Sequence, residues 1–257
     1  MPPTDPFDSI AHYYDTLMDH VNYPRWARIT YALGDLFEHR PAHLDVACGT
    51  GVLVQHMRQR GWKSFGIDLS AAMVRTGRKR APMPLAVGDM RALPAAGGVH
   101  FITCLFDSLN FLLTEEDVVH TLQSFHAALD TPGLVYFDIV TERMVTSHFA
   151  NQSWEEDNGS FTTVWRSEYV PGTGIADSLL RFNTGPEHRI RERIYPVAFV
   201  TEALTAAGFN VLGVFDADTW RKPRRRSTRI DFVAAKGNPQ VFGRGFKSVR
   251  QSVSKLL

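Results

Sequence analysis

The sequence predicts an α/β fold built on a doubly wound parallel sheet with a β-rich insertion. First, short apolar runs alternate with helical patterns from about residue 43 onward. Second, a Gly-x-Gly turn follows the first apolar run, at residues 49–51. Third, residues 152–195 instead show alternating aromatic and threonine-rich segments joined by PGTG and TGPE, which indicates antiparallel hairpins. With 257 residues, the chain is long enough for one core and such an insertion.

The elements follow from periodicity and from capping residues. Two helices precede the sheet, and their apolar faces are Phe7, Ile10, Tyr14 and Leu17, then Trp26, Ile29, Leu33 and Leu36. Strands of the parallel sheet are predicted at residues 43–47, 63–67, 83–87, 99–105 and 133–139. Helices between them are predicted at 52–60, 70–80 and 114–129, the last with Thr114 as its N-cap. A helix at 197–207 ending at Gly208 and strands at 209–217 and 229–236 close the fold.

Composition excludes several classes of protein. A net charge of +1 disfavours a general nucleic-acid or membrane-surface binder, which needs a basic field. No apolar run approaches the roughly 20 residues that span a bilayer, and the N-terminal segment lacks an apolar signal core. Two cysteines are too few for a disulfide framework or a CxxC metal site. We therefore expect a cytoplasmic enzyme without a metal ion.

The glycine turn indicates a nucleotide-like ligand. It lies in HLDVACGTGVLVQHM, where glycine lets the backbone approach a ligand that a Cβ atom would exclude. A dehydrogenase fingerprint needs a third glycine and a P-loop needs a lysine, and both are missing here. Asp68 ends the second strand roughly 20 residues further on, where an acid binds ribose hydroxyls. Asp89 ends the third strand, where an acid can accept a hydrogen bond from an adenine amine.

These motifs resemble those of one enzyme family. The order D-x-A-C-G-T-G, G-I-D-L-S and G-D-M-R-x-L-P resembles the class I S-adenosylmethionine-dependent methyltransferases, over residues 10–236. The segments YYDTLMDHVNYPRW and LFDSLNFL are similar to a small-molecule branch, the aminosugar N,N-dimethyltransferases and, more distantly, glycine N-methyltransferases. The resemblance implies a Rossmann-like sheet of seven strands with an antiparallel last strand and an insertion after strand 5.

The resemblance also implies a division of labour along the chain. Residues 1–40 would form helices that cover the cofactor, and residues 41–140 with 196–237 the cofactor-binding core. Residues 141–195 would form a lid over the acceptor, and residues 238–257 a tail. The residues implied to bind the cofactor are Tyr14, Trp26, Asp45, Ala47, Gly49, Gly51, Asp68, Leu69, Asp89, Met90, Leu105 and Phe106.

The acceptor side is less well defined. Asp107, just past the fourth strand, is the best polar candidate because ligands bind at the carboxyl edge of such sheets. His188 and Tyr195 in the insertion complete the predicted catalytic set, with Asn110 as a weaker neighbour of Asp107. However, HRIRERIY carries His188 and Ile190 where the resemblance implies an acid and a histidine, so a transferred acceptor site is in doubt.

We therefore expect transfer of a methyl group from S-adenosylmethionine, leaving S-adenosylhomocysteine, to a nitrogen or oxygen of a small molecule, with nitrogen favoured. The protein would act as a monomer or homodimer, without nucleic acid or membrane. The alternatives are an RNA or protein methyltransferase, a silent cofactor-binding regulatory protein and, last, a nicotinamide oxidoreductase. The basic run WRKPRRRSTR at 220–229 could contact phosphates, although a solvated hairpin tip explains it better.

Overall fold

The computed structural model describes residues 6–94 and 97–256, except the side chains of Arg244 and Leu256. Residues 1–5 of the predicted N-terminal segment and Leu257 of the predicted tail lie outside this range. The helices are α1 (Pro6–Ile10), α2 (Tyr14–Leu17), α3 (Tyr23–Gly34), α4 (Val52–Gln59), α5 (Ala71–Arg80), α6 (Glu115–Ala128), α7 (Glu142–Met144), α8 (Val197–Ala206) and α9 (Gln240–Leu256). The strands are β1 (His43–Val46), β2 (Ser64–Asp68), β3 (Leu85–Val87), β4 (Val99–Cys104), β5 (Leu129–Val140), β6 (Ser153–Asp157), β7 (Thr162–Tyr169), β8 (Ile175–Phe182), β9 (Glu187–Arg193), β10 (Asn210–Asp216) and β11 (Arg229–Lys236).

The main sheet has seven strands in the order β10-β11-β5-β4-β1-β2-β3. Strands β1 to β5 pair in parallel, whereas β11 runs antiparallel to both β5 and β10. This arrangement confirms the predicted fold class, including the antiparallel last strand. The carboxyl ends of β1, β2, β3, β4 and β5 therefore meet at one edge, where a doubly wound sheet places its ligand.

Helices cover both faces of the main sheet, so its central strands are buried and mostly apolar. On one face, α6 and α8 bury Phe125 and Leu204 against β4, β5 and β11. On the other, α3, α4 and α9 pack around Phe101 and Tyr136. The C-terminal α9 is docked, since Phe242 is buried in that second layer. Within residues 6–94 and 97–256, no helix is both long and apolar enough to cross a membrane.

The insertion forms a second, antiparallel sheet in the order β6-β7-β8-β9. Its inner face packs against the N-terminal segment, where the ring of Tyr13 stacks on Phe182 with centroids 4.3 Å apart. The predicted first helix is interrupted between α1 and α2 by a turn at residues 11–13. Because of this interruption, Tyr13 contacts the insertion while the next residue, Tyr14, lies against the glycine turn of the main sheet.

Candidate active site

The turn after β1 has a left-handed backbone at three alternating positions. The φ angles are +55° at Ala47, +55° at Gly49 and +76° at Gly51. A Cβ atom on Gly51 would lie 2.9 Å from Leu85 Cδ2, so this glycine is required for packing. A Cβ atom on Gly49 would meet only Tyr14, at 3.4 Å from Cε1, which is ordinary contact. Glycine at position 49 is therefore favoured by the left-handed backbone and not by packing against its neighbours.

Asp68 at the end of β2 shapes this turn. Its Oδ2 accepts a hydrogen bond from the Gly49 N–H at 2.7 Å, and its Oδ1 accepts one from the Ser70 N–H at 2.9 Å. Leu69 beside it is 59% exposed, and Val87 at the end of β3 is 57% exposed. Two large apolar side chains exposed next to a carboxylate form a surface suited to the face of a planar ring.

Asp89 lies after β3, as the sequence predicts, but it already has a cationic partner. Its carboxylate accepts hydrogen bonds from Arg91, at 2.7 Å for the closest pair, and Arg91 also bonds to Asp117. Those hydrogen bonds hold the pKa of Asp89 below its usual value. Met90, the next residue, packs against the main core. Arg91, which was not among the predicted site residues, keeps the Asp89 carboxylate charged and fixed in orientation.

Asp45 is buried in β1 and is held by a chain of side chains that crosses three strands. Its Oδ1 accepts from the Thr103 hydroxyl at 2.6 Å, and Thr103 Oγ1 lies 2.8 Å from His43 Nε2. His43 Nδ1 lies 2.8 Å from the Ser64 hydroxyl. Burial lowers the pKa of His43 to about 3, so the ring is neutral and donates from Nε2. Burial raises the pKa of Asp45 to about 7.

The N-terminal helices are fixed to this edge by two acids that sequence analysis did not single out. Asp8 of α1 accepts from the Ser70 hydroxyl at 2.6 Å, and Asp15 of α2 contacts Thr50 and Arg80. These contacts place Tyr14 over the glycine turn. Burial is the main reason why the pKa of Tyr14 lies well above its usual value. Smaller contributions in the same direction come from the nearby groups Tyr23, Asp107, Asp68 and Asp15. Tyr14 thus lies within electrostatic range of both Asp68 and Asp107.

The turn after β4 is the second strained segment of the site. Phe106 and Asp107 have φ angles of +62° and +56°, which residues other than glycine rarely adopt. The buried Asp138 of β5 stabilises this conformation by accepting from both backbone N–H groups, at 2.7 and 3.1 Å. Arg229 pairs with Asp138 and, at 3.1 Å, with Asp107. Strain of this kind is concentrated at functional sites.

Aromatic rings surround the same turn. Phe106 lies 4.9 Å from Tyr23 and 5.3 Å from Trp26, measured between ring centroids. Trp26 is almost fully buried, and so is Leu105 at the end of β4. The cofactor residues predicted here and those of the glycine turn therefore share one edge, with Tyr14 between them.

The structure does not bring the other two predicted catalytic residues to Asp107. His188 Nδ1 lies 2.9 Å from the Ser9 hydroxyl, near the start of α1. The Tyr195 hydroxyl donates to the backbone carbonyls of Leu112 and Thr114, inside the core. Both contacts are structural, so the catalytic roles of His188 and Tyr195 stay predictions that the geometry does not favour.

Instead, Glu192 is the insertion residue that reaches Asp107. Residues 188, 190 and 192 alternate along β9 and so share one face of the sheet. The carboxyl group of Glu192 hydrogen-bonds to Asp107. Glu192 could have been found from the sequence. It is the acid of HRIRERIY, four positions after His188, and strand alternation places both residues on the same face.

Asn110 joins the insertion to the main sheet. Its Nδ2 donates to the Arg193 carbonyl at 2.8 Å, and its Oδ1 accepts from the Val140 N–H at 3.0 Å. Since both halves of the amide are used and the side chain is buried, Asn110 fixes the position of β9 relative to β5. It positions Glu192 rather than facing a ligand.

The basic run at 220–229 is not simply a solvated hairpin tip. Trp220 is completely buried, stacks on Phe215 and donates to Asp231 at 2.7 Å, and Arg229 belongs to the active-site cluster. The middle of the run is exposed, and Arg224 and Arg225 line a groove of about 460 Å³. Both ends of this segment therefore stabilise the fold: Trp220 is buried and bonds to Asp231, and Arg229 pairs with Asp138.

Asp231 gives the fold a pH dependence that can be measured. Its Oδ2 accepts from Trp220 and Tyr136, while its Oδ1 is buried without a hydrogen-bond partner among the described residues. Burial, followed by the charge of Asp138, raises its pKa to about 7. The neutral form is favoured in the folded state, so Asp231 contributes stability that is complete below its unfolded pKa and is lost as pH rises through about 7.

We expect Asp231→Asn to reduce the fall in unfolding free energy between about pH 4 and pH 7, by up to about 1.4 kcal/mol per pH unit. Urea unfolding of both proteins across that range measures the difference. Asp218→Asn is the control, because Asp218 is exposed and lies in the segment between β10 and β11. Parallel curves for Asp231→Asn and the unaltered protein would contradict the assigned pKa.

Comparison with known proteins agrees with this geometry. The family described as "Methyltransferase domain" matches residues 44–133. "Putative methyltransferase YqeM" of Bacillus subtilis (strain 168) is 28% identical over 249 residues, which cover 91% of this chain and 99% of that protein. A Streptomyces fradiae dTDP-3-amino-3,6-dideoxy-alpha-D-glucopyranose N,N-dimethyltransferase is 32% identical over 140 residues, 52% of this chain and 54% of that one.

The fold also matches solved structures. The crystal structure of an S-adenosylmethionine-dependent methyltransferase from Clostridium acetobutylicum ATCC 824 superposes with a TM-score of 0.76 at 21% identity, covering 91% of this chain and all of that one. The carboxyl edge of the seven-stranded sheet holds the glycine turn, Asp68 at the end of β2 and Asp89 after β3. Residues 44–133 therefore match the methyltransferase domain, and the chain has the fold of a solved S-adenosylmethionine-dependent methyltransferase.

Proposed function

We propose that the protein methylates a nitrogen atom of a small molecule. The observation that carries this proposal is the Asp107 carboxylate, held by Arg229 at the end of β4 within electrostatic range of Tyr14. An acid at the acceptor side suits a basic nitrogen, which reaches the site as a cation. The Streptomyces fradiae relative, named for N,N-dimethylation of an amino sugar, supports a nitrogen acceptor.

The cofactor would bind at the edge formed by the glycine turn and the ends of β2 and β3. Leu69 and Val87 would contact the adenine ring, since both are apolar and exposed there. Asp68 would bind the ribose hydroxyls, and Asp89 the adenine amine. Gly49 would let the methionine portion approach the backbone, because the space next to Tyr14 that a Cβ atom would fill is open when residue 49 is glycine. When bound, the cofactor supplies an electrophilic methyl group on a sulfonium.

The protein's own contribution would be orientation and exclusion of water. Correct placement of two reactants can supply roughly 7–11 kcal/mol of the barrier reduction. The rings of Tyr23, Trp26 and Phe106 would present apolar, electron-rich faces beside the sulfonium. The N-terminal helices would close one side of the site, and the insertion sheet the acceptor side.

A labelled-methyl assay tests the proposal. The protein is incubated with radiolabelled S-adenosylmethionine and either a small-metabolite fraction, transfer RNA or a peptide mixture. We expect label in the metabolite fraction, and about a hundredfold lower rate with Asp107→Asn at unchanged cofactor affinity. Label in RNA or peptide that is lost when Arg224–Arg226 become alanine would refute a small-molecule acceptor. Tight cofactor binding without transfer to any fraction would indicate a regulatory protein.

A further inference from the structure

The insertion contributes a buried carboxyl group for which the proposed function has no role so far. Strand β9 is fixed beside the 106–111 turn because Asn110 and Leu113 both bond to Arg193, at 2.8 and 3.0 Å. The preceding residue, Glu192, projects from the opposite face of β9 and hydrogen-bonds to Asp107. A carboxyl group from the insertion and one from the main sheet are thus brought together at the acceptor side.

The charges at this point do not balance. Arg229 is shared by Asp107 and Asp138, so both carboxylates already depend on one guanidinium. Glu192 adds a third carboxyl group without a cation of its own. Burial and then the Asp107 charge raise its pKa well above the usual value, so it holds a proton. The cluster as a whole then carries one excess negative charge.

Oε1 of Glu192 is buried, and no N–H or O–H group of the residues that the structure describes donates a hydrogen bond to it. Buried carboxyl oxygens normally have hydrogen-bond partners, and burying one without a partner is unfavourable. A donor from a ligand would remove that cost, and a positively charged donor would also balance the excess charge.

We propose that Glu192 and Asp107 form a carboxyl pair that binds a cationic amine and converts it to the neutral, nucleophilic amine. This proposal rests on the function proposed above and identifies the acceptor as an ammonium. The groups that face Glu192 are Asp107 and Arg229, with Asp138 behind Arg229 and Tyr14 near Asp107. Among these groups only the pair has a negative charge not already balanced by Arg229.

The proton balance is simple. The resting pair holds one proton, and an arriving ammonium displaces that proton to solvent. An N–H bond of the ammonium then breaks as an O–H bond forms on the pair, which returns the pair to its resting state and leaves the nitrogen lone pair free. In the transfer that would follow, the N–C bond would form as the S–C bond broke, with the electron pair kept by sulfur and the positive charge passing to the nitrogen. Binding of the amine therefore releases one proton overall.

Calorimetry with cyclohexylammonium as the probe tests this proposal. The protein is first saturated with S-adenosylhomocysteine, and the probe is titrated in buffers of different ionisation enthalpy. We expect release of about one proton per bound probe and, for Glu192→Gln, at least about tenfold weaker binding without proton release. Cyclohexanol, matched in ring size but neutral, should bind both proteins equally. Glu187→Gln, at an exposed position of the same strand, is the matched control.

The outcomes separate the two proposals. Equal behaviour of Glu192→Gln and the unaltered protein towards cyclohexylammonium, including no binding to either, would overturn the role of the pair. Glu192→Asp should restore part of the proton release, because it keeps a carboxyl group. The function proposed above fails by a different result, namely absence of labelled small molecules in the transfer assay.

Discussion

Gly49→Ala is expected to weaken binding of S-adenosylmethionine by about a hundredfold. In the free protein, the added methyl group meets only the Tyr14 ring at 3.4 Å, so the fold tolerates it apart from the strain of a left-handed alanine, about 1–2 kcal/mol. The bound cofactor would have to share that space with the methyl group. Calorimetric titration of the cofactor measures the loss.

Gly159→Ala is the matched control for this substitution. Gly159 also has a left-handed backbone, with φ +79°, but a Cβ atom there meets nothing within 4 Å. Both variants should therefore lose similar stability, whereas only Gly49→Ala should lose the cofactor. Asp68→Ala should also bind weakly, compared with Asp35→Ala at an exposed position. Unchanged affinity in both Gly49→Ala and Asp68→Ala would refute the location of the cofactor site.

Arg229→Met is expected to lower the free energy of unfolding by about 3–5 kcal/mol, because removing one partner leaves a buried charge uncompensated. Asp138 is completely buried, and Arg229 is the cation that contacts it. Asp138 also accepts hydrogen bonds from the backbone N–H groups of Phe106 and Asp107. In the variant, its carboxylate can take up a proton because the neighbouring cation is gone. Denaturant unfolding at neutral pH measures the loss.

The same loss should depend on pH. Without Arg229, the pKa of Asp138 rises further above its unfolded value, so the variant keeps more stability at acidic pH and loses it as pH increases. The deficit relative to the unaltered protein should therefore be smaller near pH 5 than near pH 8. Arg191→Met, which removes one of the two exposed arginines that pair with the buried Asp177, should cost much less, because Arg189 keeps that carboxylate paired. Equal losses in the two variants would argue against a buried ion pair.

Periodicity was sufficient for the fold because each element has a consistent local pattern. Helix α6 begins after Thr114, whose side chain accepts from the Asp117 N–H, as its capping sequence predicts. The reversal of β11 followed from resemblance to a family whose topology is shared, whereas the order of the strands was not predicted. The one clear error concerned the first helix, where a turn at residues 11–13 depends on tertiary contacts of Tyr13 and not on local pattern.

The site was harder to predict where it depends on pairing across the sheet. Asp68 and Asp89 each follow a strand within a recognisable motif. Asp138, by contrast, lies inside an apolar strand, and its role depends on Arg229, 91 residues later in the chain. His43 likewise read as an ordinary strand residue, because its partners lie on two neighbouring strands. Such contacts join distant segments and leave no local spacing to detect.

The alternation of side chains along β9 links substrate charge to strand register. Glu192 faces Asp107, while its neighbours Arg191 and Arg193 face the other way. A shift of β9 by one residue would exchange the acid at this position for an arginine. Lengthening or shortening the β8–β9 turn at residues 183–186 by one residue is thus a route by which the same scaffold could change from a cationic to an anionic acceptor, with its cofactor half unaltered.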